Sequence, residues 1–211
     1  MAAEIQPIPI LDDPNATFAA HITGPRELVV LEEGSCTYRA GERFAQVAFD
    51  EPPTLVEAGN FTEAIQLAKS AGRILLLPHL ASRAVANVTY SDKWEDLTQF
   101  TFRYANPPLY LARTASQGAL SPEAEGICAA LDNLRLLVEP EKEGINDWLW
   151  VGSTQEAARI CAEGQAELCI TNEHGREKHD LTPVRGLKKM TPVWLSYEWI
   201  PAIPDGSATI A

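Results

Sequence analysis

Apolar residues in the first half of the chain alternate between short continuous runs and stretches with helical spacing. Residues 73–77 (RILLL) are a nearly uninterrupted apolar run, which is typical of a strand buried on both faces of a sheet. Residues 38–48 instead repeat their apolar positions at the spacing of a helix. The first half therefore predicts strands at 27–31, 54–57 and 73–77, and helices over 38–48 and from Asn60 onward.

The second half repeats this alternation. Residues 122–138 predict an amphipathic helix, because four apolar side chains follow the i, i+4, i+7, i+11 spacing. They are Ile127, Leu131, Leu134 and Val138. Further strands are predicted at 147–151, 166–171 and 193–200, and further helices begin at Ser153 and Asn172.

Strand–helix alternation in both halves predicts an α/β fold with two lobes and largely parallel sheets. Segment 98–113 holds two β stretches on either side of Pro107-Pro108, as expected where the chain crosses between lobes. The predicted organisation is an extended segment at 1–25, a first lobe at 26–104 plus 190–203, and a second lobe at 105–189. Ligands of such folds bind at the carboxyl ends of strands, against helix N-termini, so we expect a cleft between the lobes.

The chain is strongly acidic. Its 211 residues include 17 Lys and Arg against 29 Asp and Glu, which gives a formal charge of −12. Nucleic acids and anionic membrane surfaces both select basic proteins, so we expect neither as a partner. No apolar run is long enough to cross a bilayer, and the N-terminal residues do not have the pattern of a secretory signal. These features predict a cytoplasmic protein.

No residue pattern indicates a metal or a cofactor. The four cysteines form no C-x-x-C pair and have no zinc-ligand spacing, and the four histidines form no H-E-x-x-H. Cys128, Cys161 and Cys169 lie among Ala, Leu and Ile, where a buried apolar role is expected. The sequence also has no G-x-G-x-x-G or Walker loop for a nucleotide. We therefore expect no metal and no cofactor.

Two predicted helix starts carry small residues and hydroxyls. They are Glu33-Gly34-Ser35-Cys36-Thr37 and Gly152-Ser153-Thr154, each between a strand and its following helix. Free backbone N–H groups at the positive end of a helix dipole suit a carboxylate or phosphate. Ordinary N-capping explains each one separately. Having one in each lobe favours a ligand with an anionic group at each end.

A third candidate region follows the predicted strand at 166–171. Residues 176–189 collect five basic side chains, which are Arg176, Lys178, Arg185, Lys188 and Lys189. The cluster is either a solvated face or a source of positive potential for a small polyanion in a cleft. Pro78-His79, at the end of another buried strand, is a fourth candidate.

The chain resembles the prephenate decarboxylases of the bacilysin and aeruginosin type, which are relatives of prephenate dehydratase. The C-terminal matches are Gly152-Ser153-Thr154-Gln155-Glu156-Ala157-Ala158, Ile170-Thr171-Asn172-Glu173, Arg176, Lys178, Leu181, Lys188 and Trp194. The N-terminal matches are Glu33-Gly34-Ser35-Cys36-Thr37 in place of the family's E-G-T-x-S, Pro78-His79, Phe102-Arg103, Pro107 and Tyr110. The resemblance spans about residues 28–200 and is most specific over 152–194.

The resemblance implies a two-lobed fold like that of the type II periplasmic binding proteins, with the small dianion prephenate in the interlobe cleft. It needs no cofactor. The catalytic candidates are His79, Arg103 and Thr191, with His79 as the proton donor because imidazole titrates near neutral pH. The substrate-binding candidates are Ser35, Thr37, Ser82, Ser153, Thr154, Thr171, Asn172, Glu173, Arg176 and Lys188.

Departures from the dehydratase pattern favour the decarboxylase branch. The dehydratases' Thr-Arg-Phe is replaced by Thr191-Pro192-Val193, and no Glu-Asn follows Pro78. Their Ser-His-Pro has its nearest counterpart in Ser121-Pro122. The chain also stops after its last predicted strand, which leads us to expect no regulatory domain.

The implied reaction is decarboxylation of prephenate to a dihydro-4-hydroxyphenylpyruvate that retains the ring hydroxyl, for a secondary-metabolite or non-proteinogenic amino acid pathway. Two alternatives stay open. One is a prephenate or arogenate dehydratase, and the other is a non-catalytic two-lobed module that binds a small anion. The expected partner is the small-molecule substrate, with a homodimer left open.

Overall fold

Two β-sheets with flanking helices form the described part of the protein. The computed structural model describes residues 8–13, 15–70, 72–79, 83–115 and 126–200. The first sheet consists of β1 (Glu27–Leu31), β2 (Thr54–Ala58), β3 (Arg73–Pro78), β4 (Trp94–Asp96), β5 (Phe102–Arg103) and β11 (Val193–Trp199). The second consists of β6 (Leu109–Thr114), β7 (Gly126–Ala130), β8 (Ile145–Trp150), β9 (Leu168–Asn172) and β10 (Leu181–Gly186). We call each sheet with its helices a lobe.

Six α-helices and two short 3₁₀ helices connect these strands in the described part of the chain. The α-helices are α1 (Cys36–Ala48), α2 (Phe61–Leu67), α3 (Arg83–Thr89), α4 (Pro140–Glu143), α5 (Thr154–Ala162) and α6 (Glu173–Lys178). The 3₁₀ helices are Thr98–Phe100 and Asp132–Leu137. The strands predicted near 27–31, 54–57, 73–77, 147–151, 166–171 and 193–200 are confirmed.

Both sheets mix parallel and antiparallel strands. The first has the order β2-β1-β3-β11-β4, with β5 also on β11, and only β2, β1 and β3 are parallel. The second has the order β10-β6-β9-β7-β8, in which β9, β7 and β8 are parallel. The expectation of largely parallel sheets is therefore wrong for the strands that enter or leave a lobe. β6 and β11, which begin after the two crossings, both run antiparallel to their neighbours.

The first lobe has a core on each face of its sheet. On one face α1 packs Phe44 against β1, together with side chains of the N-terminal segment such as Leu11 and Phe18. On the other face α2 and α3 cover the alternate side chains of β1 and β3. Gly41 of α1 is needed for this close packing, because a Cβ there would lie 2.5 Å from a Val30 methyl. The segment predicted as extended thus adds apolar side chains to this core.

The second lobe differs from its sequence prediction at residues 122–138. Residues 126–130 form β7, in the interior of the sheet between β9 and β8, and the 3₁₀ helix Asp132–Leu137 follows. The predicted amphipathic helix is therefore wrong over the residues that the structure describes. Short apolar runs fit a buried strand as well as a helix, and the sheet provides partners for both edges of β7. Helix α5 covers one face of this sheet with Ala157, Ala158 and Cys161.

Two neighbouring segments join the lobes. Backbone N–H groups of Tyr104 and Asn106 donate to the carbonyls of Pro192 and Met190, at 3.4 and 2.9 Å. The lobe boundaries predicted from the sequence stay a prediction. No helix among the described residues is both long and apolar enough to cross a membrane.

Candidate ligand-binding site

A cavity of about 450 Å³ lies where the two lobes face each other. Its volume falls within the range of small-molecule sites. It is lined at the carboxyl ends of β1 and β3 in the first lobe and of β7 and β8 in the second. Its apolar wall is formed by Leu31, Phe61, Pro78, Leu109, Leu131, Leu134, Leu137, Met190, Pro192 and Trp194.

Helix α1 begins at this cavity. Ser35 is its N-cap, and the Ser35 Oγ accepts a hydrogen bond from the Tyr38 backbone N–H at 3.0 Å. Ser35, Cys36 and Thr37 all line the cavity. The first N–H groups of a helix have no intrahelical acceptor, and the helix dipole makes this end positive. An anionic group of a ligand is favoured at this position.

Helix α5 begins on the opposite wall in the same way. Ser153 is its N-cap and accepts from the Glu156 N–H at 3.0 Å, and both Ser153 and Thr154 line the cavity. The Ser153 hydroxyl also donates to the Glu32 carboxylate at 3.1 Å, across the lobe boundary. The hydroxyl proton of Ser153 is therefore engaged, whereas the Thr154 hydroxyl and the helix N–H groups stay candidates for ligand contacts.

The charged side chains among the described lining residues are cationic. Lys188 and Lys189, on the segment that returns to the first lobe, line it together with His79 and Thr191. Among the described residues neither lysine has a carboxylate within 4.0 Å, and none of the described lining residues is Asp or Glu. This local charge is opposite to the net charge of −12.

Two asparagines in the lining were not predicted from the sequence. Asn106 lies at the crossing between lobes and Asn133 on the 3₁₀ helix after β7. The Oδ1 of each is buried and has no hydrogen-bond partner among the described residues. A buried amide without a partner is costly, so both are suited to a polar group of a ligand. Only the Pro-Pro after Asn106 hinted at this place, and nothing distinguished Asn133.

Cys36 is a lining residue without the properties of a nucleophile. Burial raises the pKa of its thiol to about 12, even though a hydrogen bond with Asn172 acts in the opposite direction. The thiol is therefore protonated at neutral pH, and a thiolate is the reactive form of cysteine. No group of three or more His, Cys, Asp or Glu within the described ranges is placed to hold a metal ion.

Of the thirteen residues predicted for the site, twelve are described by the structure; seven of these line the cavity and five do not. The seven are Ser35, Thr37, His79, Ser153, Thr154, Lys188 and Thr191. Ser82 and the Ser121-Pro122 counterpart lie outside the described residues. Arg103 is exposed on β5, opposite Val193, and does not line the cavity.

The four remaining predicted residues do not line the cavity. Thr171 and Asn172 are fully buried, and the Thr171 hydroxyl donates to the Thr154 carbonyl at 2.8 Å. Glu173 begins α6, and the Arg176 guanidinium lies 5.4 Å from the centre of the Tyr110 ring. One Arg176 nitrogen also contacts Glu177 at 3.1 Å. Thr171 therefore supports the α5 start from behind.

Comparison with known proteins identifies the fold. No family model and no curated protein sequence matches the chain. Among solved structures it is similar to GqqA, a quorum-quenching acylase (TM-score 0.50, 13% identity, 84% of this chain and 66% of that one), and to the periplasmic domain of Bordetella pertussis BvgS (TM-score 0.53, 10% identity, 86% and 41%). The chain thus spans less than two thirds of either.

A third solved structure is a dehydratase and not one of the decarboxylases that the sequence resembles. It is the prephenate dehydratase of Staphylococcus aureus, at 13% identity over 82% of this chain and 66% of that one. Its TM-score is 0.46. The matches with higher scores show the fold alone, and they confirm the predicted class: a two-lobed α/β fold of the type II periplasmic-binding-protein kind.

Proposed function

We propose that the protein is a prephenate decarboxylase that binds its substrate in the interlobe cavity. The observation that carries this proposal is the pairing of two helix N-termini, α1 and α5, across an apolar cavity with cationic side chains and no described carboxylate. Prephenate has one carboxylate on its ring and a second at the end of its pyruvyl side chain, so each of these anionic groups could meet one helix N-terminus. The choice of this dianion over others rests on the sequence resemblance.

The reaction removes CO₂ from the quaternary ring carbon and leaves its electron pair delocalised over five ring carbons. One proton then adds to a distal terminus, and the hydroxyl stays on the ring. The site contributes orientation of the two carboxylates, an apolar wall that weakens solvation of the leaving carboxylate, and a proton donor. His79 and Thr191 are the donor candidates, because both line the cavity.

Retention of the hydroxyl requires that no proton donor of the lining lies beside it. Expelling a hydroxyl as water requires an acid beside it. Pro192, which follows Thr191, has no backbone N–H to offer, so this segment differs from the dehydratases' Thr-Arg-Phe. The dehydratase alternative is therefore the weaker one.

A non-catalytic module is the second candidate, and the fold favours it. The BvgS domain is periplasmic, and a two-lobed cleft that holds an anion does not require chemistry. Such a protein would bind prephenate, or another small anion, and release it unchanged.

One experiment separates these functions. The purified full chain is incubated with prephenate near neutral pH, and the product is examined by proton NMR beside a protein-free control. We expect a product without the ring carboxylate, with the carbinol proton retained and with no aromatic signals. Phenylpyruvate above the control would show a dehydratase. Unchanged prephenate with saturable binding would show a binding module. The proposal would be overturned if the protein neither converted nor bound prephenate.

A further inference from the structure

The backbone carbonyl of Gly34 is held by two side chains of the other lobe. Gly34 lies in the turn between β1 and α1. Its oxygen accepts from Asn172 Nδ2 at 2.7 Å and from Gln155 Nε2 at 3.2 Å. Gln155 Nε2 also donates to Asn172 Oδ1 at 3.0 Å. Asn172 and Gln155 are 0% and 2% exposed, so this arrangement, which we call the amide clamp, excludes water.

Asn172 has its hydrogen-bonding groups engaged by the protein. Its Oδ1 caps α6 by accepting from the Gly175 N–H at 2.9 Å, in addition to the bond from Gln155. Although the sequence indicated Asn172 as a substrate-binding residue, its polar atoms face other parts of the protein.

The lobes also touch closely at the clamp. Gly34 has a φ of +79°, and a Cβ at this position would lie 2.0 Å from the His174 ring of the second lobe. Glycine is therefore required both for the backbone conformation and for the approach of α6. The Ser153–Glu32 hydrogen bond at 3.1 Å joins the lobes beside it.

We propose that Asn172 is a positioning residue that, through the amide clamp, holds the α1 and α5 N-termini in their binding arrangement before any ligand arrives. Gly34 directly precedes Ser35, and Gln155 directly follows Thr154. Each end of the clamp is thus adjacent to one of the two anion-binding ends of the cavity. The cleft is preformed, and the lobes do not close upon the ligand as two halves joined only by a hinge would.

Asn172→Asp tests the clamp with little effect on α6. Aspartate still accepts from the Gly175 N–H and is a good N-cap, but it cannot donate to the Gly34 carbonyl and places an acceptor against it. We expect a larger radius of gyration in small-angle scattering of the ligand-free variant than of the wild type, for which about 17 Å is expected from chain length. Saturating prephenate should restore the wild-type value.

The kinetic readout rests on the proposed function. If one tenth of the ligand-free variant is closed, the apparent KM for prephenate rises about tenfold. The kcat of Asn172→Asp should change less than its KM, because the closed complex with prephenate keeps the wild-type arrangement. The scattering measurement needs no turnover, so failure of the decarboxylase proposal leaves the clamp testable.

Asn60→Asp is the matched control. Asn60 caps α2 by accepting from the Glu63 N–H at 3.0 Å and has no described hydrogen bond to the other lobe. It packs against Gly152 of that lobe, so Asn60→Asp adds a carboxylate at the lobe boundary without removing a donor of the clamp, and it should scatter as the wild type. Should Asn172→Asp fail to fold, Gln155→Leu removes the second donor from within α5 and should open the lobes by itself. Wild-type scattering in whichever variant folds would overturn the proposal, as would a wild-type protein that contracts when prephenate is added.

Discussion

Two serines at the edges of the cavity have the same capping role, but only one of them has a hydroxyl proton without an acceptor among the described residues. Ser35 and Ser153 each accept one N–H bond from their helix. Ser153 donates its hydroxyl proton to Glu32, whereas no acceptor for the Ser35 proton is found among the described residues. At the scale of single residues, Ser35 is therefore the stronger candidate for direct contact with a ligand carboxylate.

This difference predicts unequal effects of alanine substitution. Ser35→Ala and Ser153→Ala should each lose about 1 kcal/mol of stability from the N-cap, and Ser153→Ala also loses its bond to Glu32. Only Ser35→Ala should also lose a hydrogen bond to the ligand, which raises the dissociation constant of prephenate on the order of fivefold. Calorimetric titration of both variants checks this. Equal affinities would contradict the assignment, and Ser153→Ala serves as the control for the loss of an N-cap at the cavity.

Sequence reasoning found the residues at the helix starts but could not separate ligand contacts from structural ones. Hydroxyl and amide side chains after a buried strand, such as Thr171 and Asn172, suit either role. Which one applies depends on partners far along the chain, since the Gly34 carbonyl lies 138 positions from Asn172. Asn106 and Asn133 were missed for the same reason, because a lone asparagine in a loop has no local pattern.

At the scale of elements, the end of α6 carries a titratable group in an unfavourable environment. His179 is the C-cap of α6, where a positive charge is ordinarily favoured by the helix dipole. Here burial lowers the pKa of His179 from its usual value of 6.5, and the positive charges of Lys178 and Arg159 lower it further. The folded protein therefore binds this proton less readily than the unfolded chain does.

Stability should accordingly fall as the pH is lowered through the unfolded value. Below about pH 6.5 the unfolded chain binds more protons at His179 than the folded protein, so the free energy of unfolding decreases. His179→Gln should lose less stability than the wild type between about pH 7.5 and 5.5. Urea unfolding at both pH values measures the difference. Above about pH 7.5 the two proteins should respond to pH alike, and parallel curves throughout would exclude this role of His179.

Elements whose apolar residues match a single pattern were predicted correctly, whereas segment 126–138, which fits both a strand and a helix, was not. The apolar run of β3 and the spacing of α1 each match one template. In 126–138 the apolar residues of β7 and the following 3₁₀ helix together imitate a helical period. The decision between strand and helix there came from the neighbouring strands β8 and β9, which sequence spacing does not encode.

At the scale of the whole molecule, the two-lobed architecture follows from strand–helix alternation, but the coupling between lobes does not. Two crossing segments and the amide clamp join lobes that each have their own core. A ligand that contacts both helix N-termini adds a further link between them. Binding of the ligand should therefore stabilise both lobes against unfolding, and not only one of them.

The protein should consequently unfold as one unit that prephenate stabilises as a whole. At a ligand concentration about 100 times the dissociation constant, binding adds about 2.7 kcal/mol, which corresponds to about 5–10 °C in Tm. Three tryptophans, Trp94, Trp194 and Trp199, lie in the first lobe, and Trp148 and Trp150 lie in the second. In the double variant Trp148→Phe/Trp150→Phe, tryptophan fluorescence reports unfolding of the first lobe alone, while far-ultraviolet circular dichroism reports unfolding of both lobes. We expect the two signals to share one midpoint and to shift together when prephenate is added, because the clamp and the ligand both span the lobe boundary. A fluorescence midpoint that separates from the dichroism midpoint, or that alone responds to prephenate, would show that the lobes unfold independently.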